Sequence, residues 1–123
     1  AWQIEVPKSL CVVLDDGDLA DALGPLIENA ARHARTKVTI KGHALQDQVM
    51  LSISDDGAGI PVGLRAEMLS RFGRADEGGS GLGLAIANEI ITAAGGEVTL
   101  EDAAPGLRVQ LRLGIFKPAK TKV

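Results

Sequence analysis

The chain has 123 residues, 46% apolar and 24% charged, with a formal net charge of −3. That size supports one domain with its own core, so neither disulfides nor a structural metal are needed to hold it together. Three features exclude whole classes: the acidic balance argues against a general nucleic-acid coat, the lone Cys11 forbids an internal disulfide, and no run approaches the ~18 apolar residues of a membrane-spanning helix.

Cys11 lies in a strand-like stretch and reads as a small buried apolar residue, consistent with a reducing compartment. The chain opens inside a strand pattern without an initiating Met, which suggests a domain of a longer protein. Such a parent could carry a membrane anchor of its own.

Residues 2–6 and 10–14 read as short strands around a turn at Pro7. Residues 15–18 form a turn and helix N-cap, with acids where the helix dipole favours them. From residue 18 to about 35, Leu19, Leu23, Leu26, Ile27, Ala30 and Ala34 recur at helical spacing. Pro25 cannot donate to the carbonyl of Asp21, which predicts a kink or restart there.

Val38 and Ile40, then Val49, Leu51 and Ile53, alternate with polar residues as two half-buried strands joined by a hairpin at residues 45–48. Residues 61–70 read as a short helix with Pro in its first turn. Residues 73–80 lack an apolar pattern and read as a mobile loop. Leu82, Ile86 and Ile90 form a helical stripe over residues 81–94, closed by Gly95-Gly96. Val98 and Leu100 begin another strand, residues 102–106 turn, and Leu107, Val109, Leu111 and Leu113 alternate along the last one. Residues 117–123 are unpatterned and expected to fray. Strands and helices do not alternate one for one. The pattern predicts an α+β two-layer sandwich, a mostly antiparallel mixed sheet with helices on one face.

Ten of the fifteen glycines lie between Gly57 and Gly96. Asp55-Asp56-Gly57-Ala58-Gly59-Ile60-Pro61 follows a strand directly. Its glycines let the backbone approach a ligand, and a carboxylate held there can accept from an exocyclic amine. Taken alone, the same residues make an ordinary surface turn. Gly78-Gly79-Ser80-Gly81-Leu82-Gly83-Leu84 leads into a helix and offers free N–H groups to phosphate. It is neither the dinucleotide fingerprint, since Leu84 stands where the third Gly belongs, nor a P-loop, since no Gly-Lys-Ser/Thr occurs. On the first helix Glu28 with Arg32, and Asn29 with His33, are spaced four apart. The Asn amide oxygen suits Mg²⁺, and Arg32 could reach a phosphate. Arg71 and Arg74 flank Phe72 beside the loop and could clamp a phosphate. Zinc spacing, a nucleophilic-serine context and an aromatic stacking platform are absent from the sequence.

The order of these pieces resembles the ATP-binding catalytic domain of bacterial sensor histidine kinases, a branch of the GHKL superfamily. The resemblance covers residues 4–116. Leu26-Ile27-Glu28-Asn29-Ala30 resembles the N box, which implies Mg²⁺ at Asn29 and a catalytic role for Glu28, and Arg74 matches a basic position near the γ-phosphate, which implies a catalytic role there too. Arg32 and His33 match positions beside phosphate and adenine. Asp56 with Gly57, Gly59 and Ile60 resembles the first Gly box, whose Asp accepts from the adenine amine. Phe72 resembles the F box. Gly79, Ser80, Gly81, Leu82, Gly83 and Leu84 resemble the second Gly box, which closes over phosphates.

The resemblance implies a Bergerat-type fold over residues 1–116, with ATP and Mg²⁺ as cofactors. It further implies transfer of the γ-phosphoryl group to a His on a helical dimerisation domain, and a response regulator downstream. The parent would be a homodimer, in the inner membrane or not, with this domain in the cytoplasm and no nucleic-acid partner. Pro25 departs from the pattern: it replaces an Asn whose oxygen would contact metal or water, and it argues against a hydrolytic ATPase. Two alternatives stay open, an anti-sigma-type serine kinase of the same superfamily and a non-catalytic nucleotide-sensing pseudokinase.

Overall fold

The computed structural model describes residues 2–6, 16–69 and 80–114, except the side chains of residues 16, 67, 68 and 80–82. The strand expected at residues 10–14 with Cys11, the loop at 73–79 and the tail at 117–123 lie outside the described residues. The elements run β1 (Trp2–Glu5), α1 (Asp16–His33), β2 (Val38–Leu45), β3 (Gln48–Asp55), α2 (Val62–Leu69), α3 (Ser80–Ala93), β4 (Glu97–Asp102) and β5 (Leu107–Gly114). One five-stranded sheet has the order β1-β2-β3-β5-β4. β1 runs parallel to β2 and the other pairs are antiparallel, so the sheet is the mixed, mostly antiparallel one that the pattern predicts.

Period-two alternation decides which side of each strand is buried. Val49, Leu51 and Ile53 on β3, Val98 and Leu100 on β4, and Leu107, Val109, Leu111 and Leu113 on β5 are all buried. They pack with Ala22, Leu26 and Ala30 of α1 and Leu84, Ala87 and Ile91 of α3 in one core. The opposite face is polar, because the intervening residues are. Thr39, Ser54, Arg108 and Glu101 align across four strands. Arg108–Glu101 at 3.5 Å and Arg112–Glu97 at 3.1 Å pair across β4 and β5. Such half-exposed pairs each contribute at most about 1 kcal/mol.

Two expectations need correction. Pro25 does not restart the helix: α1 runs through it as one element. Ala22 before Pro25, and Leu26 and Ala30 after it, are all buried in the same core, which anchors both halves of the helix. The stripe expected on α3 is rotated. Ile86 is exposed, Ile90 is half-buried, and Leu84, Ala87 and Ile91 face inward, while the side chain of Leu82 lies outside the description. Apolar residues surround this helix, so its sequence does not mark one face.

The ends behave as local chemistry dictates. Arg32 and His33 occupy the last turn of α1, where the dipole favours cations. Gly95, at φ +86°, donates to the carbonyl of Thr92, and Gly96 donates to that of Ile91, both at 2.9 Å. That is a Schellman closure, with the left-handed position given to Gly. Gln46 and Asp47 alone join β2 to β3.

Candidate functional site

Among the described residues two polar side chains are buried, Asn29 and Asp55, at 7% and 6% exposure. Burial of an amide and a carboxylate in a small core is costly unless each finds partners. Their surroundings therefore mark the site.

Asp55 ends β3, opposite Val38 in register and in phase with Val49, Leu51 and Ile53. Its Oδ1 accepts from the N–H of Gly57 at 2.8 Å and from that of Leu107 at 3.4 Å. The backbone closes tightly around it. A Cβ on Gly106, at φ +99°, would lie 1.9 Å from the carbonyl oxygen of Asp55. A Cβ on Gly57 would lie 2.1 Å from the carbonyl oxygen of His33. Side chains at either position would push the turn away. Gly57 thus seats the turn after β3 against the last residue of α1, one helical turn beyond Asn29. Gly59, at φ +78°, continues the turn past Gly106, and Ile60 packs on the core edge.

Asn29 is buried on α1, and its Oδ1 has no hydrogen-bond partner. A buried acceptor left unpaired costs about 1–3 kcal/mol, so it calls for an explanation. An oxygen donor of this kind suits Mg²⁺, which takes few protein ligands and keeps water and phosphate oxygens in its shell. The orphaned oxygen therefore fits the metal that the N box implies. No cluster of three or more His, Cys, Asp or Glu able to hold a metal occurs among the described residues.

Asp56, which the sequence reading assigns to adenine, has other partners. Its carboxylate accepts from the N–H groups of Arg35 at 2.7 Å, Thr36 at 3.0 Å and Lys37 at 3.2 Å, and from the Thr36 hydroxyl. The Thr36 hydroxyl, then the Thr36 amide, hold its pKa well below the usual carboxylate range, with Lys37 and Arg35 adding to the effect. This carboxylate closes the turn between α1 and β2, and its acceptor capacity is engaged there. Asp55 is a buried carboxylate that the sequence reading did not single out. The signal was the alternation of β3, whose inward phase falls on Asp55.

The other sequence candidates divide. Glu28, Arg32 and His33 are exposed on α1, and the last two engage partners of their own. Gly83 meets Pro25: a Cβ there would sit 3.2 Å from the Pro25 Cβ, so this Gly lets α1 and α3 approach closely. Leu84 is buried in the core. Ser80, Gly81 and Leu82 occupy the first turn of α3. Phe72, Arg74 and Gly79 lie outside the described residues. An open cavity of about 560 Å³ lies at the polar face of the sheet, lined by Thr39, Lys41, Ser52 and Arg108 and reaching both Asp55 and Asp56 at its end. Asn29 does not line it. No described helix is long and apolar enough to cross a membrane.

Comparison with known proteins bears on these features together. The family described as histidine kinase-, DNA gyrase B- and HSP90-like ATPase matches residues 14–116. The sensor protein kinase CarS of Pseudomonas aeruginosa is 38% identical over 117 residues, covering 93% of this chain and 26% of CarS. The chain thus spans about a quarter of that relative. The mycobacterial sensor histidine kinase MprB superposes with a TM-score of 0.82 at 28% identity, covering 93% of this chain and 82% of that one. Full-length ShkA, solved with AMPPNP, superposes with a TM-score of 0.79 at 25% identity, covering 97% of this chain and 27% of ShkA. With its sheet, its N-box helix and its Gly-rich turn in this arrangement, the chain belongs to the histidine kinase-, DNA gyrase B- and HSP90-like ATPases, and its relatives are sensor histidine kinases.

Proposed function

We propose that residues 1–116 form the ATP-binding catalytic domain of a sensor histidine kinase. The observation that carries this reading is the pair of buried polar side chains, Asn29 with an orphaned oxygen and Asp55 ringed by Gly57, Gly106 and Leu107. ShkA, which has this fold, was solved with an ATP analogue.

In this reading Asp55 accepts from the adenine amine, the role the sequence alone gave to Asp56. Asn29 holds Mg²⁺, which when bound neutralises charge on the phosphate oxygens. Arg32, Arg74 and the amides at residues 79–83 receive the phosphates, with His33 beside the base. Catalysis rests on positioning and charge neutralisation rather than on a covalent enzyme intermediate. An imidazole nitrogen of the acceptor His attacks the γ-phosphorus. A P–N bond forms as the bond to the β–γ bridging oxygen breaks, and ADP leaves. Neither His33, in the N-box helix, nor His43, on the sheet, stands on a dimerisation helix, so the acceptor belongs to a separate helical domain of a dimeric parent. A response regulator is the next acceptor, and the domain works in the cytoplasm of an inner-membrane or soluble parent.

Titration calorimetry with ATP, with and without Mg²⁺, tests this. Wild type binds both forms, Mg-ATP more tightly. Asn29→Ala removes about tenfold of the Mg-dependent affinity and leaves adenosine binding unchanged. A folded wild-type chain that binds no adenine nucleotide would overturn the reading.

A further inference from the structure

α2 is a short helix with an exposed outer surface, where Val62 and Leu64 stand in solvent. Arg65 points the other way, and its side chain is only 18% exposed. Its Nε–H donates to the carbonyl of Ile60 at 3.0 Å. Nη1 donates to the carbonyl of Leu100 at 3.5 Å, and Nη2 to the carboxylate of Asp102. One guanidinium therefore joins the end of the Gly-rich turn to the end of β4. Only Arg offers this planar fork of donors; a Lys ammonium is a single point.

Both segments wall the Asp55 carboxylate. The turn of residues 57–61 contributes the Gly57 N–H. The turn after Asp102 is closed by the Ala103 N–H donating to Gly106, and it delivers Gly106 and the Leu107 N–H. Gly59 brings the two turns together: a Cβ there would lie 3.1 Å from the Gly106 carbonyl oxygen. The distance between the turns fixes where Asp55 meets a ligand, and Arg65 ties them from behind.

We propose that Arg65 is a positioning residue for base selection, setting the aperture around Asp55 without touching nucleotide. This rests on Asp55 as the adenine acceptor. A planar base that pairs with one carboxylate oxygen tolerates little misplacement, whereas phosphate contacts made elsewhere do not depend on this aperture. Loosening the fork should therefore reduce the preference for adenine over guanine more than it reduces phosphate-driven affinity.

The test compares calorimetric affinities for ADP and GDP in wild type, Arg65→Met, Arg65→Lys, Asp102→Asn and Asp55→Asn, with Tm measured on each. Arg65→Met is expected to weaken ADP about tenfold and to narrow the ADP:GDP ratio by about the same factor. Arg65→Lys keeps the charge and the fold but fails to restore the ratio, so it decides the matter if Arg65→Met does not fold. Asp102→Asn, which removes only the charge of the exposed acceptor, stays within about twofold of wild type. An unchanged ADP:GDP ratio in folded Arg65→Lys, while Asp55→Asn collapses it, would overturn the role of Arg65 and leave Asp55 standing. An unchanged ratio in Asp55→Asn, or no ADP binding by wild type, would overturn both.

Discussion

Two neighbouring carboxylates at the end of β3 have different surroundings. Asp55 is buried, within reach of two amides and a ring of close backbone. At Asp56, three backbone amides and a hydroxyl close over the carboxylate. The first has backbone partners on Oδ1 alone, in a place where charge is expensive, and in the proposed reading its remaining capacity serves the base. The second uses its capacity to fix the turn between α1 and β2.

The largest expected effect comes from the backbone that shapes the Asp55 side. Gly106→Ala combines a left-handed φ with a Cβ 1.9 Å from a carbonyl oxygen that belongs to a paired strand. Denaturant unfolding should show a loss of about 3 kcal/mol, at the upper end for overpacking, since backbone rather than a flexible side chain must give way. Gly63→Ala is the matched control. It lies in α2 with nothing within 4 Å, and it should gain about 0.5 kcal/mol from helix propensity. Equal effects at the two positions would contradict the close packing around Asp55.

Next is Asp55→Asn. The amide oxygen can still accept from the Gly57 and Leu107 N–H groups, so the turn should hold. Its loss is the charge that strengthens a hydrogen bond to an amine, worth roughly 1.5–3 kcal/mol, or about ten- to a hundredfold in adenosine affinity. Asp56→Asn should leave adenosine affinity within about twofold. The reverse ranking would return the recognition role to Asp56 and break the comparison.

The sheet was legible because its strands alternate cleanly. Val49, Leu51 and Ile53, and Leu107 through Leu113, point inward as their spacing requires. The face of α3 was not legible, because Ile86 and Ile90 are as apolar as the residues that are buried. Asn29 was a candidate through its place in a family pattern, but its burial and orphaned oxygen are properties of the packed core alone. The choice between Asp55 and Asp56 was available in the phase of β3, although the adjacent Asp-Gly turn drew attention to Asp56. Arg65 left no trace in sequence, since two of its three acceptors are backbone carbonyls brought near it only by the fold.

The smallest effect is the one that isolates Asp56. Its folded pKa is depressed from an ordinary value of 3.8, first by the Thr36 hydroxyl and then by the Thr36 amide. A carboxylate of this kind adds stability fully above its unfolded pKa, and the contribution disappears as pH falls through the folded value. Asp56→Asn should therefore lower Tm at pH 7. The gap from wild type should hold down to about pH 4 and narrow below it as the wild-type carboxylate protonates. Thr36→Val removes the largest cause of the depression, so it raises the folded pKa: the gap should be smaller at pH 7 and its narrowing complete at a higher pH. A gap that is independent of pH between 2 and 7 would show that the carboxylate charge at Asp56 does not hold the turn. The distinction between the two acids would then rest on Asp55 alone.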